Sequence, residues 1–399
     1  MKKIKFAALL LSAVMLVSGC ASDSVENENK DQNQSQDQSE SQSQNENNQP
    51  VSYAGEMRGL SVTELAADMK TGWNLGNTFD ANDGETSWGN PLTTHEMIDA
   101  VAAAGFDLIR IPITWEKHFD NDTDFTINAE WLARVTEVVN YAVDNDMYVI
   151  INSHHETDWI KLTMDEVDGV LPKFTAMWTQ IAENFREYGD KLLFEGLNEP
   201  RVVGGANEWN GGTEDNRQAL NILNKAFVDT VRATGGNNST RALLITTVAA
   251  AVAESTMKEL EIPDDPNIMV SLHAYTPYDF TYPDGKDLFY YDDSVGSSID
   301  WVFNLIDTYF TSKNIPVIIT EYGSVNKIID FATVPNPRYE ENIKWVTRYL
   351  ERAKESGIPC VWWDNGYHYS GNELFGIFNR KDCTWFVPDL IEAIMAVYE

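Results

Sequence analysis

Residues 192–200 read Leu-Leu-Phe-Glu-Gly-Leu-Asn-Glu-Pro. A short apolar run that finishes in Asn198-Glu199-Pro200 predicts a β-strand carrying its polar residues to one end. The same design recurs on both sides of it. Strands are expected at Thr71–Gly76, Leu108–Trp115, Tyr148–His155, Leu192–Asn198, Ala242–Ala249, Ile268–Tyr275, Pro316–Tyr322 and Cys360–Trp363. Between them the apolar spacing turns helical, at Thr94–Ala104, Ala129–Asn145, Leu171–Tyr188, Asn216–Thr234, Ser297–Thr311, Arg338–Ser356 and Trp385–Val397. Eight strands alternating with helices over about 350 residues predict an α/β fold of the (β/α)8 barrel type, also called a TIM barrel. A doubly wound open sheet would carry a glycine-rich phosphate turn after its first strand, and Gly72-Trp73-Asn74-Leu75-Gly76-Asn77 lacks that spacing.

In such a barrel the functional side chains collect where the strands end. Strand two ends near Arg110, strand three in His154-His155-Glu156 and strand four in Asn198-Glu199-Pro200; strand six ends in His273-Ala274-Tyr275, strand seven in Glu321-Tyr322-Gly323 and strand eight in Trp362-Trp363-Asp364-Asn365. Any one of these has a structural explanation, because a lone strand-end His or Trp is more often packed than reactive. Six ends carrying ionisable or aromatic groups to one rim are costly without a functional return. Glu199 and Glu321 close strands four and seven and so face each other across the barrel mouth. Two such carboxyls suit glycosidic cleavage, with retention when they are about 5 Å apart and inversion when a wider gap admits water. The spacing along the chain fixes neither the distance nor the roles.

The 399 residues carry a net charge of −33 with three cysteines, which excludes a disulfide mini-protein. So acidic a chain repels nucleic-acid phosphates, and any polymeric partner is expected to be uncharged. Residues 1–20 read as a signal segment: Lys2, Lys3 and Lys5, an apolar run from Phe6 to Val17, then Val17-Ser18-Gly19-Cys20. The last four residues are similar to a bacterial lipobox, which makes Cys20 the expected lipidation site. Each buried methylene of an acyl chain contributes roughly 0.8 kcal/mol, so the expected membrane partnership is a tether without a span. Residues 21–50 are Ser, Gln, Asn and acidic residues with almost nothing to bury, and read as a disordered linker reaching ~30 Å. The first segment carries +3 and the linker −6, so residues 51–399 carry −30 and the expected catalytic domain is itself acidic.

The ordered set Gly72-Trp73-Asn74-Leu75-Gly76-Asn77-Thr78, Trp88-Gly89-Asn90-Pro91, Ile109-Arg110-Ile111-Pro112, His154-His155-Glu156, Leu197-Asn198-Glu199-Pro200-Arg201, His273-Ala274-Tyr275, Thr320-Glu321-Tyr322-Gly323 and Trp362-Trp363-Asp364-Asn365-Gly366 resembles glycoside hydrolase family 5 endoglucanases along almost all of residues 51–399. The resemblance implies hydrolysis of β-glucan with retention, Glu199 as proton donor and general base, and Glu321 as nucleophile. It implies that Asn198 bonds the sugar 2-hydroxyl and that Arg110 and Tyr275 hold Glu321 ionised. His154, His273 and Trp363 then shape the cleavage subsite, with His155 behind His154 and Asn74 in support. The physical logic agrees: a guanidinium favours a charged nucleophile, whereas an acid needs a raised pKa until it has given up its proton.

No cofactor and no metal are called for, since neither His-Glu-x-x-His nor Gly-x-Ser-x-Gly occurs. The rival from another class is a surface glycan-binding lipoprotein without catalysis. A matched acid and nucleophile speak against it. Trp88, Trp115, Trp159, Trp209 and Trp362 are candidate sugar platforms beside Trp363, whereas Trp131, Trp178, Trp301 and Trp345 are expected in the core. Cys360 and Cys383 are either a disulfide or unpaired thiols. A monomer is expected, and the choice among cellulose, mixed-linkage glucan, xyloglucan and xylan rests on the loops at 80–92, 156–172, 202–214 and 277–296.

Overall fold

A computed structural model describes residues 55–205, 207–282, 290–326, 337–369 and 373–399. Eight parallel strands, β1 (Thr71–Leu75), β2 (Leu108–Ile111), β3 (Tyr148–Asn152), β4 (Leu192–Glu195), β5 (Leu243–Ala251), β6 (Ile268–His273), β7 (Val317–Tyr322) and β8 (Cys360–Asp364), pair in sequence order and close into a barrel, β8 against β1. This is a (β/α)8 TIM barrel. Most strands stop short of their expected ends: Asn198, Glu199 and the two histidines His154 and His155 follow the ladder instead of belonging to it. The hydrogen-bond ladder ends there, while a side chain such as Asn198 still reaches the interior to bond Arg110.

Helix α1 (Val62–Asp68) precedes the barrel; α2 (His95–Ala103), α3 (Ala129–Asp144), α4 (Val167–Asn184), α5 (Glu214–Ala233), α6 (Glu254–Lys258), α7 (Tyr278–Thr281), α8 (Asp293–Tyr309), α9 (Pro337–Glu355) and α10 (Pro388–Ala396) connect or follow the strands. Capping fixes several starts. Ser61 and Glu64 form a capping box on α1, Asn128 accepts the Trp131 N–H on α3, and Thr213 and Asn216 form the corresponding box on α5. A two-strand hairpin, β9 (Phe378–Asn379) and β10 (Thr384–Trp385), lies before α10.

The barrel interior is layered by the alternation within each strand. Leu108, Ile150, Leu193, Leu244, Ile318 and Val361 fill the lower layer, and Val62 and Leu65 of α1, with Met69 just after it, pack against them. Burying each such side chain contributes about 1.5–3 kcal/mol. Gly72 lies at that level because a Cβ there would stand 2.9 Å from both Leu108 Cγ and the Leu108 carbonyl oxygen. Two residues further along, the inner face turns polar, with Asn74, Arg110, Glu195, Ser271 and Thr320 all fully buried. That layer is the floor of the site. Of the tryptophans expected in the core, Trp131, Trp178 and Trp345 are buried, but Trp301 is 59% exposed on the outer face of α8. Helical spacing reveals a periodic face without saying which residue points out.

The expected signal segment (residues 1–20, with Cys20) and linker (21–50) lie outside the described residues. Cys360 and Cys383 are unpaired thiols, and burial pushes the Cys360 thiol well up.

Candidate active site

Arg110 is the hub of the floor. Its Nε donates to Glu195 Oε2 at 2.7 Å, Nη1 to Glu321 Oε1 at 2.8 Å and Asn74 Oδ1 at 3.0 Å, and Nη2 to Asn198 Oδ1 at 2.7 Å. Such a planar, charge-assisted set holds four partners in one geometry. Asn74 in turn donates to the carbonyls of Thr320 (2.9 Å) and Val361 (3.2 Å), tying the hub to β7 and β8. Asn74 therefore braces Arg110. Ser271 bonds Glu195 and lies 2.6 Å from Thr320 Oγ1, completing the layer. Glu195 was not legible as a site residue. Its signal was a charge inside an apolar strand, and its partner lies 85 residues away along the chain.

Above this floor the sequence-predicted residues converge. Tyr275 donates its hydroxyl to Glu321 Oε2 at 2.8 Å, so both nucleophile-candidate oxygens accept a hydrogen bond. His273 Nδ1 lies 2.8 Å from Glu199 Oε1 and 3.5 Å from Glu321 Oε2. Glu199, His273 and Glu321 each place one donor atom within 4.8 Å of the others. Asn198 N–H donates to the Ser153 carbonyl at 3.0 Å, and the Pro200 carbonyl accepts from Ala249 N–H at 2.9 Å, which anchors the turn carrying Glu199. Ala249 and Ala250 hold φ of 57° and 49° to make that contact, a local strain of the kind stored at functional sites.

His154 and Trp363 form one wall, their rings parallel with centroids 5.9 Å apart. Trp363 also packs with Val325 and Phe375, against Tyr275 and Tyr282. His155 meets His154 edge-on at 4.4 Å and faces Trp88 at 5.8 Å. Trp115 and Trp362 are fully buried and serve packing: Nε1 of Trp115 donates to the Asn152 carbonyl and that of Trp362 to the Phe375 carbonyl. Trp159 Nε1 donates to Glu156. Trp209 is 56% exposed, with the Arg201 guanidinium 4.1 Å above its ring. Glu156, the third carboxyl of the His-His-Glu run, accepts from Trp115 N–H at 2.6 Å and from Trp159 at 2.7 Å. It is structural.

Burial would raise the Glu199 carboxyl, but the hydrogen bond and charge of His273, with Arg201 behind, hold it below the usual carboxylate range. Burial would lower the His273 imidazole; Glu321 and Glu199 outweigh it and raise it. The bond thus favours a carboxylate facing an imidazolium. Burial, with the charge of Arg110 adding to it, takes His154 well below its ordinary value, and burial takes His155 down to about 4. Both are neutral hydrogen-bonding groups at pH 7.

Among the described residues, two donor sets lie close enough to share an ion: Glu199 with His273 and Glu321, and Asp80 with His154 and His155. In the second, Asp80 already accepts from the N–H groups of Asn77 (2.9 Å) and Thr78 (2.6 Å).

Residues 72–369 match the cellulase family, glycosyl hydrolase family 5. The chain belongs to that family. This family 5 glycoside hydrolase is 54% identical to Endoglucanase A of Ruminococcus albus over 351 residues, 86% of this chain and 94% of that protein. It superposes on a GH5-4 broad specificity endoglucanase from Clostridium acetobutylicum with a TM-score of 0.80 at 40% identity, covering 84% of this chain and 99% of that one. A xyloglucan-specific endo-β-1,4-glucanase from a metagenomic library, solved with cellotriose, gives a TM-score of 0.80 at 43% identity, covering 84% and 98%.

Proposed function

We propose that this family 5 enzyme is a retaining endo-β-1,4-glucanase in which Glu199 is the acid/base and Glu321 the nucleophile. The observation that carries the reading is the approach of the two carboxylates across the mouth, one oxygen of each within 4.8 Å of the other, which fits the short gap of double displacement rather than the wider one that admits water. In the first step Glu321 attacks the anomeric carbon while Glu199 gives its proton to the leaving oxygen, and the glycosidic bond breaks to leave a glycosyl ester. A substrate covering the Glu199–His273 pair penalises its separated charges and returns the proton to the carboxyl. In the second step Glu199 takes a proton from water, which attacks the same carbon and frees Glu321.

Arg110 and Tyr275 orient the nucleophile through their 2.8 Å bonds, one to each oxygen. With its Oδ1 held by Arg110, Asn198 directs its amide N–H toward the sugar 2-hydroxyl. His154 and Trp363 present the wall against which the sugar ring lies, and His155 supports His154. The substrate class is soluble or amorphous β-1,4-glucan. The 43% identity to a xyloglucan-specific relative makes a branched glucan the second substrate to assay. Glu199→Gln and Glu321→Gln each retain cello-oligosaccharide binding and lose turnover; undiminished hydrolysis by either contradicts the assignment.

We further propose that residues 1–20 direct export, that Cys20 carries the lipid, and that residues 21–50 hold a monomeric catalytic domain (51–399) away from the membrane. The Lys-rich start, the short apolar run and the lipobox-like ending support this reading.

A further inference from the structure

Arg201, two residues beyond Glu199, contacts it twice: Nη1 donates to the Glu199 carbonyl at 2.9 Å and lies 3.4 Å from Oε2. The guanidinium is fixed from its other sides. Nε donates to Glu208 Oε1 at 3.1 Å, Glu208 Oε2 accepts the Gly204 N–H at 2.8 Å, and the Trp209 ring lies 4.1 Å beneath the guanidinium carbon. A surface ion pair contributes little, because two long side chains must be immobilised in water. Here Glu208 and Trp209 supply the immobilisation, and the Arg201 and Glu199 side chains are only 14% and 18% exposed. The carboxylate so gripped is the one that changes protonation twice in each turnover. The ionisable groups around it are Arg201 on its own loop, His155 after β3, His273 and Tyr275 at the end of β6, Glu321 on β7 and Glu373 after β8. Within reach of Glu199, Arg201 is the permanent cation on its own loop; His155 is neutral and His273 carries the exchangeable proton.

We propose that Arg201 is a positioning residue for Glu199, holding its carboxylate at the scissile bond and stabilising its ionised form for the second half of the cycle. This rests on Glu199 being the acid/base. A fixed cation opposes the proton held by the Glu199–His273 pair, so its removal lets the pair keep that proton to higher pH.

The test is the pH profile of kcat/KM on cellopentaose for the full-length chain. Arg201→Gln moves the alkaline limb up by about one pH unit, and Arg201→Lys, which keeps the charge, returns it at least half-way. Trp209→Ala removes an exposed ring and does not threaten folding; it moves the limb the same way by less. If Arg201→Gln and Trp209→Ala lower kcat/KM by one factor at every pH and leave the limb in place, the proposal is overturned. Glu199→Gln, assayed on an aryl cellobioside with a good leaving group, separates the two readings. A limb that survives in that variant removes the acid/base assignment, whereas a limb lost there but unmoved in the other two removes the role of Arg201 alone.

Discussion

His273 Nδ1 stands 2.8 Å from Glu199 Oε1, and this bond couples the titration of the carboxyl and the imidazole. The histidine lowers the carboxyl that burial would raise. In His273→Gln the Glu199 carboxyl therefore titrates higher than in the parent. Carbon-13 spectra of glutamate-labelled protein read this directly, the Glu199 signal being the one missing from Glu199→Gln. A signal that does not move contradicts the coupling.

Glu195 is the second anion on Arg110 and is fully buried at 2.7 Å. Glu195→Gln leaves the guanidinium with Glu321 as its remaining carboxylate and turns a charge-assisted buried bond into a weaker one to a neutral amide, a loss of about 1.5–3 kcal/mol. Urea unfolding at pH 7 should show that loss. The hub also loosens, so kcat falls at least tenfold; a variant with parent stability and parent kcat rules out the hub.

Burial raises Glu156 from its ordinary 4.5 to about 7. The native chain thus keeps a proton that the unfolded chain releases, so stability is full below pH 4.5 and declines as pH rises toward 7. The decline amounts to about 3 kcal/mol. Glu156→Gln cannot titrate, and its urea midpoint should lack that part of the slope between pH 4.5 and 7. Parallel slopes for parent and variant contradict the shifted carboxyl.

Gly76 has no room for a side chain: a Cβ would stand 2.8 Å from the Asp364 carbonyl oxygen and 2.8 Å from Trp363 Cη2. Gly76→Ala pushes the tryptophan off its wall. The expected result is a loss of about 1–3 kcal/mol in stability and a raised KM for cello-oligosaccharides, seen in steady-state kinetics. Unchanged KM places Trp363 outside the sugar's path.

Cys20→Ala should shift the enzyme from the membrane fraction to the soluble one in a bacterial host, followed by immunoblot. Protein remaining on the membrane contradicts the tether.

The barrel and the converging strand ends were legible because parallel strands leave two local signatures, an apolar run and a polar ending. Glu199, Glu321, Arg110, His273 and Tyr275 all carried that mark. Glu195 and Arg201 did not, since one looks like an ordinary strand charge and the other like a loop cation until their partners are in place. Adjacent strand residues face opposite ways, so Trp363 lines the mouth while Trp362 packs behind the barrel wall. Spacing could not decide which tryptophan of the pair lines the mouth. Nor could it anticipate that Glu199 is held low in the resting enzyme, because that direction depends on an imidazole 74 residues away.

Trapping the covalent intermediate tests the central claim most directly. After reaction with a 2-deoxy-2-fluoro cellobioside bearing a good leaving group, digestion and mass spectrometry should find one fluoroglycosyl group, on Glu321. A label on Glu199, or turnover with no label on either carboxylate, contradicts the account.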